Sequence, residues 1–109
     1  MKEDINDYLE KFEEHTKQRF CIIYDLVYES TARIIDEKLW AKLPSFYIGD
    51  NVVRIIPFKD HINIEAKAVV LRKDELSEYK ITPKGMLQIF HNQQLPSELL
   101  KVIFEESFE

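Results

Sequence analysis

Apolar residues fall at Ile5, Tyr8, Leu9 and Phe12, the i, i+3, i+4, i+7 spacing that gives an α-helix one greasy face. The spacing predicts a helix over residues 3–17. A second helix is predicted over 18–29, with Phe20, Ile23, Leu26 and Val27 on its buried side, before Ser30 and Thr31 interrupt the pattern. Over 34–40 the pattern selects no element. The next stretch reads as β: Phe46, Tyr47 and Ile48 end at a Gly49, Asp50, Asn51 turn, and residues 52–58 form a β-branched run, apolar on both faces as a well-covered strand requires. Lys59, Asp60 and His61 make a short polar turn into the alternating strand 62–66, so these two strands predict a hairpin.

Leucine and charge over 69–79 suit a further helix, and Pro83, Lys84 and Gly85 mark a turn into a strand over 86–90. Leu95 and Pro96 open a last helix whose buried stripe is Leu99, Leu100, Ile103 and Phe104, proline being favoured at the start of a helix. Helices at both ends of a mostly antiparallel sheet predict a two-layer α+β fold. With 109 residues, 45% hydrophobic and 12% aromatic, the chain suits one domain over 1–109 with one core.

Charge and residue counts narrow the chemistry. The net charge of -5 sits at the two ends: residues 1–14 carry six acids against two lysines, and residues 98–109 carry four acids against Lys101. Such a surface repels phosphate backbones, so no nucleic-acid partner is expected, and a cationic partner fits better. No apolar run approaches the length of a spanning helix and the first residues form no signal segment, from which no membrane partner and a cytoplasmic location are expected. Two glycines are too few for a dinucleotide fingerprint or a phosphate-binding loop. One cysteine, Cys21, sits in the apolar run Phe20, Cys21, Ile22, Ile23 and reads as a small core residue, while His15, His61 and His91 are scattered in sequence. No catalytic constellation emerges from these counts.

Two constellations remain. At 100° per residue Glu3, Asp7, Glu10 and Glu14 of the first predicted helix fall within a sector of about 60°, opposite its apolar stripe. Pairs of such carboxylates are spaced to share a hard cation, and the solvated outer face of an amphipathic helix accounts for the same residues without one. In the middle of the chain Lys59, His61, Lys80 and Lys84, with Asn63 and Gln88 on alternating strand positions, would form a pocket for a small anion if they meet. A third reading is an interaction module whose acidic ends dock a basic partner.

An ordered set of short pieces adds a resemblance. Trp40, Ala41, Lys42, Leu43, Pro44, Ser45, Phe46 are followed by Phe58, Lys59, Asp60, His61, Ile62, then Tyr79, Lys80 with Lys84, Gly85, then Gln88, Phe90, then Leu95, Pro96. In order and spacing they resemble the YdhG-like family over about 60 residues from Trp40 to Lys101, with Ala41 and Lys42 in a region where that family commonly has a glycine. The family includes proteins described as frataxin-like intracellular iron chaperones. The resemblance implies a YdhG-like fold and a binding protein rather than an enzyme, one that binds iron transiently and passes it to iron-sulfur or haem assembly proteins. Carboxylate oxygens and the lack of cluster-holding cysteines agree with that expectation.

Overall fold

The computed structural model describes residues 1–109. Two helices, α1 (Glu3–Leu9) and α2 (Glu14–Glu29), precede strands β1 (Asp36–Trp40), β2 (Leu43–Ile48), β3 (Asn51–Pro57) and β4 (His61–Glu65). A 3-10 helix (Val70–Leu76) leads to β5 (Lys80–Ile81) and β6 (Leu87–Phe90), and helix α3 (Ser97–Ser107) follows. The strands form one six-stranded sheet in the order β1-β2-β3-β4-β6-β5, antiparallel at every step. The fold is α+β, with helices at both ends of the chain around an antiparallel sheet. No helix is long and apolar enough to cross a membrane.

Strand alternation sends Phe46, Ile55, Ile62, Ile64, Leu87 and Ile89 into one buried cluster with Phe20, Ile23 and Val27 of α2 and Leu100, Ile103 and Phe104 of α3. Ile5 and Leu9 of α1 join it, so all three helices serve the same core. The opposite sheet face holds Lys38, Trp40, Tyr47, Arg54, Asn63 and Gln88 by the same alternation. Trp40 is 54% exposed there, stacked over the Arg54 guanidinium at 4.4 Å. Arg54 itself is buried and bonds Ser45 Oγ, Tyr47 Oη and the Glu65 carboxylate.

The first helix is shorter than its pattern predicts. The chain turns over residues 10–13, with Glu10 N–H on the Asp7 carbonyl and Phe12 N–H on the Leu9 carbonyl, and the second helix begins at Glu14 instead of residue 18. These tighter i→i-3 bonds end the helix without a glycine or proline. Phe12 packs beside Tyr8, centroids 5.6 Å apart, and stays against the core through the bend. The buried series then resumes in phase at Thr16, Phe20 and Ile23.

Between residues 34 and 40, where the pattern selects nothing, the chain forms edge strand β1. Its core-facing positions are Leu39 and Glu37, the latter a charge where alternation calls for an apolar residue. The helix expected over 69–79 is a 3-10 helix kinked at Arg72 (φ -113, ψ 20), and the short strand β5 follows it. The β1–β2 connection is a two-residue loop, because Trp40 pairs with Leu43. Ala41 and Lys42 in it take φ 51 and 66, the left-handed conformation of a tight hairpin turn.

Candidate functional site

The histidines, scattered in sequence, gather where the start of α2 meets the β3–β4 turn and the end of β6. Register sets part of this: His61 pairs with Phe90 across β4 and β6, and His91 N–H donates to the Asp60 carbonyl at 3.0 Å. Helix α2 is tied on by Arg19, which donates to the carbonyls of Phe90 at 3.3 Å and Gln93 at 2.8 Å. His15, on the first turn of α2, then lies edge-on to His91 with centroids 5.4 Å apart.

His91 Nε2 lies 3.2 Å from the Phe58 carbonyl and 3.1 Å from Thr16 Oγ. A carbonyl only accepts, so Nε2 carries the hydrogen and Nδ1 keeps a bare lone pair. That Nδ1 is buried without a partner, as is Arg19 Nε. Burial lowers the His91 pKa below its ordinary value; Arg19, His15 and His61 add to that and outweigh the Phe58 carbonyl. His91 is therefore neutral at pH 7. Asp60 accepts from His61 Nδ1 at 2.7 Å, and this bond holds its carboxyl below the usual range.

His15, Lys59, Asp60, Phe90, His91 and Asn92 line a hollow of about 390 Å³. A neighbouring hollow of about 330 Å³ shares Lys59 and adds Lys11, Phe12, Glu13 and Thr16 at the start of α2. No side chain caps α2, so its first backbone N–H groups are free to meet an acceptor. The largest hollow, about 620 Å³, lies elsewhere, between Tyr79 and the start of α3. Glu78 and Glu98 are its only charged residues, which disfavours an anion there.

The expected pocket of Lys59, His61, Asn63, Lys80, Lys84 and Gln88 does not assemble as one site. Asn63, Gln88 and Lys80 lie in a cross-strand row on the sheet face away from the core. Lys84 lines a separate hollow of about 300 Å³ with Asp50, Val52 and Glu65, beside the far end of β4 from His61. Lys59 lines a hollow with His15, His91 and Asn92, while the His61 ring lies between Phe58 and Phe90 on the sheet face of Asn63 and Gln88. These residues are up to 77 positions apart in sequence, and no short-range spacing announces them.

The acidic ridge divides as well. Glu3 and Asp7 lie on α1, Glu10 caps its end, and Glu14 opens α2, where it pairs with Lys17 at 3.6 Å. Glu10 and Glu14 share a shallow hollow with Cys21, whose thiol pKa is raised by burial first and then by Asp25 and Glu14. No group of three or more His, Cys, Asp or Glu side chains is gathered to hold a metal ion. Comparison with protein-family models, with curated proteins and with solved structures returned no match.

Proposed function

We propose that this chain is a non-catalytic binding protein that holds a small anion in the hollow between the start of α2 and the β3–β4 turn. One observation carries the reading: Lys59, His15 and His91, from three separate segments, line a single hollow beside the uncapped end of α2. Asp60, the carboxylate that lines this hollow, accepts from His61, and Lys59 belongs to none of the protein's ion pairs, which leaves its ammonium for a ligand. Inorganic phosphate titrated into labelled protein is expected to shift the amides of residues 14–16, 59–61 and 90–92. Lys59→Ala is expected to weaken binding several-fold, and added salt to weaken it further. A titration that moves none of these amides refutes the reading.

The YdhG-like resemblance supports a second reading, a frataxin-like chaperone that passes iron to iron-sulfur or haem assembly proteins. What favours it is the acidic start of the chain: Glu3, Asp4, Asp7, Glu10 and Glu13 are exposed, and none belongs to the protein's ion pairs. One or two such carboxylates plus water would hold a hard cation weakly, as handing it on requires. Calorimetry with ferrous iron on a Glu10→Gln, Glu14→Gln variant tests it, the exchange keeping helix propensity nearly constant. Unchanged binding in that variant means that the ridge is only a solvated face, and the reading fails.

A further inference from the structure

We infer that the anion held in this hollow is borne on an aromatic ring, an inference that rests on the anion-binding reading above. The hollow has two unlike sides. Lys59, His15 and Asn92 offer charge and hydrogen bonds, while Phe90 supplies an apolar wall. Phe90 is not alone, for the His61 ring is tilted against it at 5.7 Å and stacks on Phe58 at 4.4 Å with the planes 16° apart. The three rings form a continuous aromatic strip along the β3–β4 turn and the end of β6.

The strip is presented, not buried. Phe58 and Phe90 remain 41% and 38% exposed, although the sheet has a core face on which such rings are usually covered. The Asp60 bond at 2.7 Å holds His61 between them, and the His91 and Arg19 bonds to the Phe58 and Phe90 carbonyls fix the backbone beneath. A planar ring lying against Phe90 would cover apolar surface now in water, while its anionic group reached Lys59. A bare inorganic anion would use only the polar side, and a broad polymer of phosphates would meet the acids at both chain ends. The chemistry selected is a small aryl phosphate or aryl carboxylate.

Three probes test this by calorimetry on the intact protein: inorganic phosphate, methyl phosphate and phenyl phosphate. Phenyl phosphate is expected to bind about 10-fold tighter than methyl phosphate, within the range that one aromatic stacking contact supplies. Phe90→Leu, with amide spectra to show an intact fold, is expected to bring that preference to within about threefold, and Phe58→Leu to reduce it less. Equal affinity for the two organic phosphates, or a preference that survives in Phe90→Leu, overturns the inference and leaves the anion reading standing. Failure of all three probes to bind removes the anion reading and this inference together.

Discussion

Two polar clusters fasten α2 to the sheet, and they differ in what they leave undone. Near the end of α2, Glu37 of β1 is 4% exposed and accepts from Tyr24 Oη at 2.6 Å, Tyr28 Oη at 2.5 Å and the Lys2 N–H at 2.7 Å. Each donor there meets the carboxylate. Near the start of α2, the His91 cluster leaves Nδ1 and Arg19 Nε buried without partners, beside an open hollow. A buried polar group without a partner costs more than a net hydrogen bond returns. The first cluster satisfies its own groups, whereas the second leaves two buried nitrogens open. The hollow is read as the binding site because Lys59, His15 and His91 converge on it; the bare Nδ1 lone pair only accepts and gives an anion no bond.

The largest effect should come from breaking the satisfied cluster. Glu37→Ala leaves two tyrosine hydroxyls and a backbone N–H without their shared acceptor, and a loss of about 3 kcal/mol is expected from urea unfolding. The pH dependence has a definite sign. Burial alone would raise the Glu37 pKa, but the bonds from Lys2, Tyr24 and Tyr28 prevail and hold it below 4.5. A depressed carboxyl contributes stability above its unfolded value, and that contribution is lost as pH falls through the folded value. Stability should therefore drop below pH 4.5, and Glu37→Gln should flatten that part of the curve. A Glu37→Ala midpoint equal to the parent's would erase the distinction between the clusters.

The open cluster should respond more weakly and in a different pH window. His91→Phe removes the bonds to Phe58 and Thr16, and a cost of about 1 kcal/mol is expected. His91 has a pKa lowered from 6.5, so its contribution is present above pH 6.5 and fades as pH falls from there toward the folded value. Unfolding free energies of the parent should slope downward below pH 6.5, and His91→Phe should remove much of that slope. Equal slopes in both proteins would mean that His91 is not held neutral by its surroundings.

How much of this was legible in the sequence depends on the range of the interactions involved. The β3–β4 hairpin, the Gly49 turn and the stripe of α3 follow from neighbours in sequence, and all three are present. The α1–α2 break was expected at residue 17 and lies at 10–13, because Leu9, Phe12, Thr16 and Phe20 keep helical spacing through it and periodicity registers no phase change there. Strand β1 was hidden by Glu37, whose burial depends on tyrosines of another element. The site was legible only in part. Lys59 and His61 came from the turn, but His15 and His91 meet through the docking of α2, a contact that periodicity does not encode.

The smallest effect lies on the strand that presents Glu37. Ala41 and Lys42 both have positive φ, a conformation in which a side chain's Cβ is crowded and glycine is not. Lys42 is exposed, so removing its side chain forfeits little packing, and Lys42→Gly should raise stability by about 0.5 to 1 kcal/mol, read as a higher urea midpoint. The same exchange asks whether the Glu37 cluster forces the turn into its strained shape. Glu37 pairs with Phe46 while the turn lies beyond the Trp40–Leu43 pair, and three residues of strand put that last pair roughly 10 Å from Glu37. At that distance independent effects add to within about 0.5 kcal/mol. The gain from Lys42→Gly should therefore be the same in the parent and in Glu37→Gln. A gain that vanishes in the Glu37→Gln background would show that the tyrosine cluster holds strain in the hairpin, and it would then be more than a satisfied anchor.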